Sequence, residues 1–409
     1  VADPFGAGLC LIFVGLFFAA RLYRMKLLTI GDFYRNRFGR TVEVLISIAI
    51  CISYLGWVSA QIVALGLTIH LISQEAVSFE LGMVIGLTVV MLYTIFGGMW
   101  SVAIMDFLQM MIILGGLLTV AWLVADRLDG GYMEVIDHAA ANNKFDFWPE
   151  LNLAAILAFI GTFVTLALGS IPQQDVFQRV MSARDEKTAV RGTVIGGTFY
   201  IAFCFVPIFI AYGATLLDPG LLTVNMAEGG DPQRILPEFI LNDVPMPIQV
   251  VFFGALLSAI MSTASGTLLA PSAILAENIF KDAFNLDDKQ LLWTLRACVF
   301  VFGLVVLGYA YLSTSAGLSI FEMVENAYLV TLCGAFVPLA FGVYWKRATN
   351  LGALVSITLG VTTWAVLEAL NLQMMANDAS MLVPPQLAGL FMAIVGMIAG
   401  SLVPPLKPR

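Results

Sequence analysis

The sequence predicts an all-α polytopic membrane protein, and two observations carry that reading. Hydrophobic residues make up 60% of the 409-residue chain and charged residues only 12%, where a soluble domain has about 25% charged. Apolar runs recur along the whole chain, each close to the roughly 20 residues that cross a hydrocarbon core of about 30 Å. The runs are continuously apolar rather than alternating, which selects helices over a barrel. In lipid the backbone must satisfy its own hydrogen bonds, and only those two architectures do so.

Eleven spans follow in order, at 5–22, 42–73, 79–98, 100–125, 152–181, 190–217, 247–279, 290–312, 318–345, 350–370 and 383–404. The second, fifth, seventh and ninth exceed a simple span, so tilt or interfacial extension is expected. No soluble domain, Ser- and Pro-rich linker or low-complexity tract interrupts them, and 1–409 reads as a single transmembrane domain. VADPFGAGLCLIFVG enters a span almost at once, with no initiator Met and no signal peptide. The chain reads as part of something longer, with its first residue outside.

Orientation follows from the basic residues. Alternate connections carry Arg21, Arg24, Lys26, Arg35, Arg37 and Arg40, then Arg179, Arg184, Lys187 and Arg191. Lys281, Lys289 and Arg296 follow, then Lys346 and Arg347, then Lys407 and Arg409. These are 17 of the 20 Lys and Arg, and they place one set of connections in the cytoplasm. The opposite connections, 126–150 and 218–246, are long and acidic and account for most of the net charge of −8. That balance gives no sign of nucleic-acid binding. Cys10, Cys51, Cys204, Cys298 and Cys333 lie in apolar spans without ligand spacing and read as small core residues. His70 and His138 are far apart. No metal cluster, nucleophile–base pair or phosphate loop is seen, so neither an enzyme nor a bound cofactor is expected.

Ionisable groups at membrane depth are functional candidates. Asp106 lies in GGMWSVAIMDFLQMMIILGG, with no Lys or Arg between Arg40 and Arg127. Such a carboxylate is neutral, near water, or paired with a cation from another segment, and no basic residue is expected at its depth. The bland reading is an interfacial Asp capped by hydroxyls. Glu322 and Glu325 open the ninth span near the outer face and read as interfacial residues, with a gate role as the alternative. The fifth span is broken by ALGSIPQQDVFQRV, which sets Gly169, Ser170 and Pro172 before Gln173 and Gln174. Pro172 removes a donor and crowds a carbonyl, so the helix kinks. Discontinuous helices mark binding sites in secondary transporters, although many Pro kinks bind nothing. The two amides offer donors and acceptors to a polar solute.

SAIMSTASGT places Ala259, Ser262 and Thr263 on one helical face. Two readings stand. Small residues let helices approach closely, and Ser or Thr bonds back to its own helix. Alternatively, two hydroxyls and a bared carbonyl supply part of an oxygen shell for sodium.

Taken together, these stretches resemble the sodium/solute symporter family, the sodium-coupled carriers of proline, pantothenate, sialic acid, sugar and choline. YTIFGGMWS (Tyr93 to Ser101), KRATNLGALVSITLG, TIGDFYRNRFG, IPQQDVFQRVMSA and SAIMSTASGTLL are similar to its motifs, in order. The resemblance implies a LeuT-type inverted repeat that lacks the family's first two helices, leaving core helices two to ten and two C-terminal helices. It implies sodium as the coupling ion, bound by the Ala259 carbonyl and the Ser262 and Thr263 hydroxyls with support from Asp106. It implies a small organic solute contacting Trp57, Gln61, Gln173 and Gln174, in the inner or plasma membrane. Gln173 stands where choline carriers have an aromatic residue, so despite Trp57 and Trp100 the resemblance points to proline or another amino acid, with a carboxylate or pantothenate-like solute next. The alternative is a membrane sensor built on the same helices. No signalling domain is seen before Arg409, and nothing indicates an oligomeric state.

Overall fold

The computed structural model describes residues 2–226, 232–375 and 381–403, with the side chains of 2–3, 98–102, 221, 222, 224 and 375 outside that description. Lys407 and Arg409 lie outside the described residues, as does the side chain of Trp100. The described residues form helices and no strand. In chain order the helices are α1 (Pro4–Arg24), α2 (Ile30–Phe38), α3 (Arg40–Ile72), α4 (Phe79–Gly97), α5 (Ala103–Asp126) and α6 (Gly131–Ala141). Then come α7 (Leu153–Gly169), α8 (Gln174–Met181), α9 (Glu186–Leu217), α10 (Ile235–Asp243) and α11 (Met246–Phe284). Last are α12 (Asp288–Ser315), α13 (Ile320–Tyr344), α14 (Asn350–Met375) and α15 (Pro385–Leu402). Among the described residues ten helices are long and apolar enough to cross a membrane, or eleven if the bent pair α7–α8 is one span. The chain is a multi-pass membrane protein with the span order read from the sequence.

Local chemistry sets the starts. Thr29 caps α2 in a reciprocal box with Asp32, and Asp287 does the same for α12 with Gln290. Ser78, Asn152 and Asp185 cap α4, α7 and α9 by accepting from backbone N–H groups. Glu322 completes a capping box with Ser319 at the start of α13.

Helical backbone runs without a gap over Phe79–Arg127, 49 residues. A straight rod of that length would measure about 73 Å. Yet Glu75, just before it, pairs with Arg234, and Arg127 donates to the Asp243 carbonyl, so the two ends meet the two ends of the short α10. Tyr93 reaches the Met261 carbonyl, while Gly116 lies against Ala255. The run therefore folds back between Tyr93 and Gly116, and α4 and α5 are antiparallel spans.

The two faces of the molecule separate as the charges predict. At one end Arg24 pairs with Glu186, Arg35 with Asp282, and Arg37 donates to the Gly342 and Trp345 carbonyls. This gathers the Arg-rich connections together. At the other end Glu75, Arg127, Arg234 and Asp243 meet. Between them the core is built by close helix approach. A Cβ on Gly82 would stand 2.8 Å from the Gly66 carbonyl, so α3 and α4 pack backbone to backbone in the manner of small-residue membrane contacts.

Candidate functional site

The broken helix organises the centre. α7 ends at Gly169 and α8 starts at Gln174, with a bend of 44° between them. The freed backbone is covered by protein, as depth requires: the Thr331 hydroxyl of α13 donates to the Gly169 carbonyl at 2.7 Å, and Ser170 donates to the Leu166 carbonyl at 2.6 Å. Gly169 permits the approach, since a Cβ there would stand 2.6 Å from the Tyr328 carbonyl.

Ser53, Trp57 and Gln61 recur every fourth residue along α3 and share a face. Trp57 stacks obliquely on Tyr328 of α13, with ring centroids 5.3 Å apart. One turn deeper, Gln173 is 4% exposed and donates through Nε2 to Ser53 Oγ at 3.1 Å and Thr331 Oγ1 at 3.4 Å. Both hydroxyls donate elsewhere, Ser53 to the Ile50 carbonyl and Thr331 to the Gly169 carbonyl. They can only accept from Gln173, which fixes its amide the right way round. Its Oε1 is left buried with no hydrogen-bond partner, a strong acceptor awaiting a donor. Gln61 is half-buried, two turns outward from Ser53.

Gln174 is placed elsewhere. It is 1% exposed, and its Oε1 accepts the Ile30 N–H at 2.8 Å, tying α8 to the start of α2. It borders a cytoplasmic cavity of about 430 Å³ that also touches Thr29 and Gln178. Gln173 is the extended N-cap of α8 and Gln174 its first helical residue, so the neighbouring amides face different elements.

Of the cation candidates, Ser262 meets Asp106, while Thr263 bonds back to Ala259 on its own helix. Ser262 of α11 donates to Asp106 Oδ1 of α5. Thr263 Oγ1 donates to the Ala259 carbonyl at 3.1 Å, and Tyr93 of α4 donates to the Met261 carbonyl. Ala259, Ser262 and Thr263 are all half-buried. The expectation that no base reaches Asp106 is corrected. Arg179 Nη2 of α8 lies 3.3 Å from Asp106 Oδ2, while its Nη1 lies 3.4 Å from Asp175 Oδ2. The side chain enters from α8, at the end of the fifth span, although the sequence counts Arg179 with the basic residues of the cytoplasmic connection. Asp175 is held in turn by the Tyr54 hydroxyl of α3 and returns its own N–H to that oxygen at 2.9 Å. Sequence reasoning missed Arg179, Tyr54, Ser53 and Thr331. The i,i+4 pair Asp175–Arg179 on a helix following a break was the available signal. The donor set around Asp106 is oxygen with one carboxylate, which suits a hard cation rather than a transition metal. Among the described residues no His, Cys, Asp and Glu cluster could hold another metal.

One helix break thus carries a buried amide at its start and, through Arg179, meets the carboxylate and hydroxyl of two further spans. The chain belongs to the sodium:solute symporter family, whose sequence model matches residues 4–360. It is 30% identical over 322 residues to the human high affinity choline transporter 1, covering 76% of this chain and 54% of that protein. It is 28% identical over 351 residues to the high-affinity proline transporter PutP of Bacillus subtilis, covering 83% of this chain and 71% of that one. The chain thus spans about half the length of the choline transporters it matches. Its fold matches a Na+-coupled sialic acid symporter solved substrate-bound and outward-open, with TM-score 0.76 and 20% identity, covering 100% of this chain and 85% of that one. That likeness gives the LeuT-type helical fold.

Proposed function

We propose that the protein carries out sodium-coupled symport of a small organic solute across the plasma membrane by alternating access. On this reading α1 to α13 form one transporter domain, corresponding to core helices two to ten, with α14 and α15 as two further helices. Asp106, Ser262, Thr263 and the Ala259 carbonyl serve sodium; Trp57, Gln61 and Gln173 serve the solute. Gln174 holds α8 against α2. The observation that carries the reading is the meeting of Asp106 and Ser262 from two separate spans.

The solute we favour is proline or a similar amino acid. Gln173 Oε1 is a buried acceptor without a donor. An ammonium N–H supplies a charge-assisted one, whereas the nitrogen of choline carries none and only its hydroxyl can donate. A choline-like solute is the second reading, supported by the Trp57–Tyr328 corner through cation–π attraction and by the human relative. The test is uptake of labelled proline and choline by the complete protein, with sodium replaced by potassium. Sodium-dependent proline uptake is expected. Sodium-dependent choline uptake alone would select the second reading, and sodium-independent behaviour with both would overturn symport, leaving a sensor role.

A further inference from the structure

We propose that Arg179 is a tethered cation that competes with sodium for Asp106 and so links cation occupancy to the solute contact through α8. The inference rests on the reading of Asp106 as cation support.

α8 is only eight residues long. At its front stands Gln173, the proposed solute contact, whose Oε1 is buried without a hydrogen-bond partner. At its rear stands Arg179, against Asp106. The guanidinium has room because of Gly266. A Cβ there would stand 2.7 Å from Arg179 Nη2. Gly266 belongs to the same stretch as Ser262 and Thr263, so the helix that offers the sodium oxygens also makes space for the competing charge.

Asp106 is divided between two partners. Oδ1 accepts from Ser262 and Oδ2 from Arg179. A sodium ion drawing on this carboxylate meets one already neutralised, and two cations at one carboxylate repel. Arg179 has a fallback. Asp175 lies four residues back on its own helix, 3.4 Å from Nη1 and anchored to Tyr54 of α3. The guanidinium can leave Asp106 without losing an anion. Sodium arrival thus shifts Arg179 toward Asp175 and pulls on the helix that carries Gln173 at its start.

The pair is half open, with side-chain exposure 43% for Arg179 and 26% for Asp106, so the competition is worth about two- to fivefold in sodium affinity rather than orders of magnitude. The test measures half-saturating sodium, and the factor by which sodium tightens solute binding, in the complete protein in membranes. Arg179→Gln should lower half-saturating sodium about two- to fivefold and shrink that factor. Gly266→Ala, which keeps the Arg but crowds it off Asp106, should shift sodium the same way. Asp175→Asn, which removes the fallback, should raise half-saturating sodium. A residue that merely supports the fold would not give opposite signs for Arg179→Gln and Asp175→Asn. Unchanged or raised half-saturating sodium in both Arg179→Gln and Gly266→Ala overturns the inference. Asp106→Asn separates the two levels. If it leaves sodium dependence untouched, the cation reading itself fails; if it weakens sodium binding while Arg179→Gln and Gly266→Ala do not strengthen it, only the tethered-cation inference fails.

Discussion

Truncating Gln173 to Ala removes one amide from a closed environment and leaves its neighbours intact. Ser53 and Thr331 still donate to the Ile50 and Gly169 carbonyls, so they lose only a lone-pair partner. No buried donor is orphaned in the protein, and the α7–α8 break keeps its cover. The cost therefore appears when solute binds, because its N–H finds no acceptor where Gln173 Oε1 stood. A buried polar group left unpaired costs about 1–3 kcal/mol, which is about 5- to 140-fold in affinity. The assay is uptake against solute concentration at saturating sodium, and against sodium at saturating solute, at matched surface levels. The solute concentration for half-maximal uptake should rise within that range while the sodium value moves far less. If only the sodium value moved, Gln173 would belong to the cation site and the solute assignment would fail.

Other expectations follow from the same geometry. Ser262→Ala and Thr263→Ala should each weaken sodium dependence, and the double variant should nearly abolish coupled uptake. Ala preserves close helix approach, so a packing role alone leaves transport normal; the hydroxyl swap, Ser262→Thr with Thr263→Ser, should be milder. Gln174→Ala unpairs the buried Ile30 N–H and should lower stability by about 1–3 kcal/mol with little change in solute affinity, as thermal unfolding in detergent beside uptake would report. Gly169→Ala drives a Cβ toward the Tyr328 carbonyl and should destabilise by about 1–3 kcal/mol, seen as a lowered unfolding midpoint.

Much of this was legible in the sequence because membrane physics is severe. Runs of apolar residues and the alternation of Arg-rich connections define the spans, and the fold-back between α4 and α5 respects that alternation although the backbone is helical throughout. The break at Gly169 to Gln173 was legible because Pro172 cannot continue a helix undisturbed. The pairing of Asp106 with Arg179 was not. Reading charges by topology put Arg179 in the cytoplasmic set, and only the long side chain and the missing Cβ at Gly266 let it reach back. The difference between Gln173 and Gln174 was not legible either. It depends on which amide sits at the cap of α8 and which begins its first turn, and a pattern of two adjacent Gln does not encode that.

The central claim is that Asp106 supports a sodium ion whose oxygens come from α11. The most direct measurement is a sodium titration of solute uptake by the complete protein carrying Asp106→Asn, with surface level checked. The change removes the charge, so Ser262 and Arg179 face a neutral amide. Half-saturating sodium should rise about tenfold or more, the scale of a hydrogen bond to a charged group, while the protein still reaches the membrane. Wild-type sodium dependence at a normal surface level would contradict the account.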